Sequence, residues 1–208
     1  MKTLFVTGTD TGIGKTHVSC LLIRSLRKLG FRTGAYKPVC SGADGQNVWE
    51  DVERLRSACT GQPTVFGGAP PLDCICPQRF LAPLAPHVAA RAEGKNVDPV
   101  MLTDALQNWE DQADVVVIEG AGGLLSPLTD ELTVADLICL LRSPTLVVTA
   151  NRLGTINQTL LTVEAIRARD IPMLAVILND STPADAGLAD ESLASNPQQL
   201  VHWLDGIP

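Results

Sequence analysis

Short apolar runs and longer stretches of helical periodicity alternate along this chain. Apolar runs at residues 2–7, 31–37, 114–118, 145–150 and 173–178 predict strands. The run at 114–118 (DVVVI) is almost continuously apolar, as in a central parallel strand covered on both faces. Val18, Leu21, Leu22, Leu26 and Leu29 recur at helical spacing and predict a helix over 15–29, which Gly30 ends. Further helices are expected over 49–58, 87–94, 99–109, 133–141 and 156–169. Residues 61–86 are Pro-rich and irregular, and loops of that length usually serve as lids or binding loops. The tail after Asp180 is polar and weakly patterned. Strands alternating with helices predict an α/β chain built of βαβ units, with a mostly parallel sheet and helices on both faces.

The chain has 208 residues, 45% of them hydrophobic, enough for one well-buried core. No Ser-, Gly- or Pro-rich linker joins two long periodic segments, so a single domain over 1–208 is expected. The net charge is −7 and no run of Lys or Arg occurs, which argues against nucleic acid or an anionic membrane as partner. No signal-like h-region opens the chain and no apolar stretch reaches the length of a membrane span, so a cytoplasmic protein is expected. The six cysteines lack zinc-ligand spacing and are read as free thiols, with Cys20 and Cys139 as small core residues. His17, His87 and His202 show no metal spacing either.

Composition alone leaves the chemistry open; the turn after the first strand narrows it. Residues 8–16 (GTDTGIGKT) follow a strand and open a helix, the context a P-loop requires. Its glycines let backbone N–H groups face phosphate oxygens, Lys15 reaches the terminal phosphates, and the Thr16 hydroxyl can ligate Mg²⁺. The loop is one residue longer than the common form. Glu119, at the carboxyl end of the apolar 115–118 run, is placed to hold Mg²⁺ beside it. Gly120, Ala121, Gly122 and Gly123 follow as a small-residue turn that a ligand can approach. The fold class expected is therefore a single-domain P-loop NTPase fold.

GTDTGIGKT, YKPVCSG (36–42) and IEGAGG (118–123) together resemble the signatures of the dethiobiotin synthetase family. APH at 85–87, LGTIN at 153–157 and LNDSTP at 178–183 support the resemblance, which extends over most of the chain. The lengthened P-loop is a feature of that family. The resemblance implies ATP-dependent carboxylation and ring closure of 7,8-diaminopelargonate with CO₂, through a carbamate and a carbamic-phosphoric anhydride. It implies Lys37 and Lys15 as catalytic residues, ATP and Mg²⁺ as cofactors, and Thr16, Asp51 and Glu119 as metal ligands. ATP would lie against Gly12, Ile13, Gly14, Lys15, Thr16, His17, Asp51, Glu119, Gly120, Ala121, Gly122, Asn179 and Asp180. Substrate would meet Thr11 and Ser41, with Gly154 and Asn157 supplied by the neighbouring subunit of a homodimer. His87 is read as a loop residue near the substrate at best.

The chain departs from the family at two places. Gly12 stands where some relatives carry an acid, so that acid's role does not transfer. Family members usually continue past a segment like 205–208 into residues that border the adenine. Two other readings share the fold class: a partition- or septum-positioning ATPase, and the synthetase domain of an amide-forming ligase. The first carries an additional lysine early in its P-loop, where this chain has Thr9, Asp10 and Thr11. The second is normally fused to a glutaminase domain that 208 residues cannot contain.

Overall fold

The computed structural model describes residues 1–61, 68–180, 192–204 and 206–208. Five strands form one sheet: β1 (Lys2–Gly8), β2 (Thr33–Tyr36), β5 (Val115–Glu119), β6 (Thr145–Ala150) and β7 (Met173–Asn179). They lie in the order β2-β5-β1-β6-β7, and every pair is parallel. The predicted strands are all present, with ends moved by at most one residue except at β2, which starts two residues later than expected. β1 and β5 lie inside the sheet, and successive side chains on both of their faces (Phe5 and Val6; Val116, Val117 and Ile118) are fully buried. That is why these segments read as apolar runs rather than as alternating ones.

The helices are α1 (Lys15–Lys28), α2 (Glu50–Cys59), α3 (Leu72–Ile75), α4 (Pro86–Ala92), α5 (Met101–Asp104), α6 (Val134–Leu141), α7 (Thr155–Arg167) and α8 (Ser192–Leu204). A 3₁₀ turn over Ala105–Trp109 completes the expected 99–109 segment. Chain order runs outward from β1 to β2 on one side and later from β5 across β1 to β6 and β7 on the other. The direction of winding therefore reverses around β1, and ligands of such sheets bind beyond the carboxyl ends of the strands at that point. Val6 stands in register with Glu119, which sets the acid beside the turn that follows β1.

The helix expected over 15–29 is α1, whose buried face is formed by Val18, Ser19, Cys20 and Ile23, with Leu22 and Leu26 packed against the core and Leu21 and Leu29 exposed. Other expectations need correction. Cys139 is exposed, whereas Cys20 is buried as expected; none of the six cysteines is in a disulfide. Residues 68–86 are not irregular throughout. They contain α3 and the strand β4 (Gln78–Phe80), which pairs in parallel with β3 (Val39–Ser41). The Lys37 N–H donates to the Ile75 carbonyl at 2.7 Å, and the Trp49 indole donates to the Phe80 carbonyl at 2.9 Å. The weakly patterned tail folds as α8, whose Leu200 and Leu204 pack with Val163 of α7 and with β7. The Ser-Thr-Pro end of the LNDSTP motif lies outside the described residues. No described helix is long and apolar enough to cross a membrane.

Candidate active site

The turn after β1 wraps the N-terminus of α1. Gly14 caps that helix with φ 94°, a left-handed conformation that favours glycine, and a Cβ there would collide with the Asn179 amide. The same amide donates to the Ile13 carbonyl at 2.9 Å, which fixes the end of β7 to the loop. Lys15 is buried, and its ammonium donates to the Asp10 carbonyl at 2.6 Å across the loop. Burial pulls its pKa down to about 8, against the opposing pull of Glu119.

Lys37 follows β2 and is almost completely buried. Its Nζ lies 2.5 Å from Asp51 Oδ2, on the first turn of α2, and 2.7 Å from Glu119 Oε1, at the end of β5. Burial alone would lower the lysine pKa; the two carboxylates outweigh it and hold the group above the usual lysine range. Asp51, although desolvated, is held below the usual carboxylate range by the Lys37 charge. The Thr16 hydroxyl donates to Glu119 Oε1 at 2.8 Å. Glu119 Oε2 is buried with no hydrogen-bond partner in the protein.

That orphaned oxygen is a test of whether a divalent cation fits. A buried carboxylate oxygen normally finds a partner, and here the Thr16 hydroxyl and the Asp51 carboxylate stand close by as further hard donors. Among the described residues no group of three or more His, Cys, Asp or Glu is gathered for a metal. Such a sparse set suits Mg²⁺, which takes one or two carboxylates and fills its shell with water and phosphate oxygens.

Two cavities meet at Lys37. One, of about 200 Å³, is lined by Thr11, Gly12, Gly14, Lys15, Thr16, His17, Arg54 and Gly120. The other, of about 410 Å³, is lined by Cys40, Ser41, Pro83, Leu84, Ala85, Pro86, Ala121, Ser126 and Pro127. Thr11, Lys37, Asp51 and Gly122 line both. The Ser41 hydroxyl donates to the Leu84 carbonyl at 2.6 Å, joining the strand end to the 83–86 wall. Gly122 has φ 77°, and a Cβ there would strike Ser126, whose hydroxyl accepts the Gly123 N–H at 2.8 Å.

Most residues singled out in the sequence therefore converge. Asp180 lies beyond the end of β7, where its carboxylate accepts the Asn151 amide at 2.8 Å. Gly154 and Asn157 do not join the group: they sit exposed at the start of α7 and line neither cavity. The sequence reading gave no site role to Asp10, Cys40, Arg54 or Ser126, although Asp10 and Cys40 lie within the site's motifs; the 83–84 wall falls inside the 61–86 stretch read as a lid or binding loop.

A glycine turn after a central parallel strand, with Lys15, Thr16 and a carboxylate across from it, is the geometry of a P-loop protein. A family model described as an AAA domain matches residues 2–203. The ATP-dependent dethiobiotin synthetase BioD of Anaeromyxobacter sp. (strain Fw109-5) is 44% identical over 202 residues, covering 97% of this chain and 85% of its own. That of Anaeromyxobacter dehalogenans (strain 2CP-C) is 47% identical over 201 residues, again covering 97% and 85%. The chain belongs to the ATP-dependent dethiobiotin synthetase family and is an ATP-dependent ligase. Among solved structures, the MinC:MinD cell division protein complex of Aquifex aeolicus matches at TM-score 0.47 and 13% identity, covering 88% of this chain and 70% of that one. That likeness is too distant to speak to function.

Proposed function

We propose that this enzyme joins CO₂ to 7,8-diaminopelargonate and closes the product to dethiobiotin, converting ATP to ADP and phosphate. The observation that carries the proposal is Lys37, a buried ammonium in the wall shared by the small pocket at the 12–16 loop and a larger, mostly apolar cavity. One amine of the substrate takes up CO₂ and loses a proton, giving a carbamate. The γ-phosphoryl group passes to a carbamate oxygen, ADP leaves, and the second amine attacks the carbonyl carbon and expels phosphate.

Two anions must approach each other in that sequence, so the site needs concentrated positive charge. Lys37 faces the carbamate and the phosphoryl group in transfer, and Lys15 holds the terminal phosphates with the backbone N–H groups of Gly12, Ile13 and Gly14. Thr16, Asp51 and Glu119 would hold Mg²⁺, which would neutralise phosphate charge when bound. Thr11 and Ser41 border the diamine, and the 83–86 wall covers its methylene chain. Asn179 and Asp180 serve the nucleotide base from the end of β7, with His17 and the Gly120–Gly122 turn flanking the phosphates.

The substrate's far carboxylate would rest on the N-terminal turn of α7, at Gly154 and Asn157, of a second subunit in a homodimer. The working unit is one P-loop synthetase domain over 1–208, a cytoplasmic enzyme of small molecules, with neither nucleic acid nor membrane as partner. Phosphate release from ATP, measured with bicarbonate present, should depend on diaminopelargonate and match the dethiobiotin formed. Release that is indifferent to the diamine would sink the proposal.

A further inference from the structure

Four threonine hydroxyls meet behind the phosphate loop; Thr9 and Thr155 lie within sequence motifs without an assigned role, and Thr149 and Thr159 lie outside every motif. Thr149, on β6, is fully buried and stands at their centre. Its Oγ1 lies 3.2 Å from the hydroxyl of Thr9, on the phosphate loop, and 2.7 Å from that of Thr155, the first residue of α7. Thr159, one turn further along α7, donates to it at 3.1 Å. A hydroxyl has one proton to give and two lone pairs to fill. Thr159 takes one lone pair; of Thr9 and Thr155, one takes the other and one receives the proton. Three partners therefore saturate Thr149.

Thr155 and Thr159 are also fully buried, so loss of the central hydroxyl strands two polar groups away from water. The backbone runs the same way: the Thr9 N–H donates to the Val148 carbonyl at 3.0 Å, one residue before the hub. An outer link, Arg152 to Asp10 at 3.2 Å, is half exposed and adds little. The buried hub thus ties the front of the phosphate loop to the N-terminal turn of α7.

We propose that Thr149 is a positioning residue that holds these two ligand-binding segments in one fixed relation, so that its hydroxyl sets the affinity for both the nucleotide and the carboxylate of the diamine. The second half rests on the assignment of α7 to that carboxylate. The nucleotide half stands without it.

Thr149→Val keeps the shape and removes the hydroxyl; Thr149→Ser keeps the hydroxyl. In Thr149→Val, affinity for a non-hydrolysable ATP analogue with Mg²⁺, measured by calorimetry, should fall about tenfold. KM for diaminopelargonate should rise about tenfold, while KM for the matching vicinal diamine without a carboxylate stays at the wild-type value. Thr149→Ser should restore both. Wild-type nucleotide affinity in Thr149→Val overturns the proposal, as does Thr149→Ser being equally impaired, since packing rather than the hydroxyl would then be at work. A wild-type enzyme indifferent to the carboxylate refutes the α7 assignment and the substrate half with it, and the calorimetry still decides the nucleotide half. If Thr149→Val does not fold, Thr155→Val removes one spoke and leaves the hub. It should raise KM for the acid and not for the carboxylate-free diamine, and equal effects on the two would overturn the coupling.

Discussion

Lys37 is charged inside the protein because two carboxylates meet it there, and a buried ion pair is by itself weak evidence for stability. In Lys37→Ala, kcat should fall by about a hundredfold or more, since a preorganised charge facing the transferring phosphoryl group is lost. Steady-state rates at saturating ATP and diamine check this, and near-normal turnover would remove Lys37 from the catalytic set. The same variant leaves fully buried Glu119 without its countercharge, so thermal unfolding in the absence of Mg²⁺ should move to lower temperature. Glu119 and Thr16 belong together through their 2.8 Å hydrogen bond and through the unpartnered Oε2 beside it. Glu119→Gln and Thr16→Val should each raise the Mg²⁺ concentration for half-maximal activity by about tenfold or more, because a hard oxygen ligand or its charge is lost. A Mg²⁺ titration of both variants that overlays the wild type would place the metal elsewhere.

At the scale of elements, α6 follows the Gly120–Gly123 turn, and its first N–H groups, at Val134 and Ala135, donate to the Ser126 and Leu124 carbonyls. A capping box starts this helix: the Asp136 carboxylate accepts from the Thr133 N–H at 2.8 Å, and the Asp136 N–H donates back to the Thr133 hydroxyl. The Thr133 hydroxyl also donates to that carboxylate at 2.6 Å, and this bond foremost, with that from the Thr133 N–H, holds the Asp136 pKa below the usual carboxylate range. The folded state thus favours the ionised form. Its contribution is complete above the ordinary Asp pKa and disappears as pH falls through the depressed one. Asp136→Ala should cost about 1 kcal/mol at neutral pH, with the gap to wild type closing in acid; urea denaturation at several pH values measures both. Elements such as β5 and β6 were legible because burial on both faces leaves an unbroken apolar run. β3, β4 and α3 were not, since what fixes them is remote: Lys37 on Ile75, and Trp49 on Phe80. α8 was hidden by an internal Pro197 and a buried face made of Asn196, Leu200 and Leu204. The same divide runs through the site. Gly14, Lys15, Thr16 and Glu119 announce themselves by local context, whereas Lys37, Asp51 and Glu119 meet across 14 and 82 positions, a proximity that only the resemblance implied.

At the scale of the whole molecule, the start of α7 is the part that the fold of one chain leaves without a use. Gly154 and Asn157 are exposed and outside both cavities, and apolar Leu153, Leu161 and Leu125 are 81%, 63% and 51% exposed. A homodimer would cover those leucines and bring one subunit's α7 to its partner's Lys37. Complementation separates that arrangement from a self-contained site. Lys37→Ala and Asn157→Ala, each impaired alone, are mixed in equal amounts and allowed to exchange subunits. In a shared site, a mixed dimer holds one site with both lesions and one with neither. Half of the dimers are mixed at random exchange and half of their sites are intact, so activity should return toward about a quarter of wild type. If every site is built within one subunit, each keeps a lesion whatever its partner, and mixing restores nothing. No recovery, with exchange verified by mass, would refute the cross-subunit role of Asn157 while leaving Lys37 and the phosphate loop in their places.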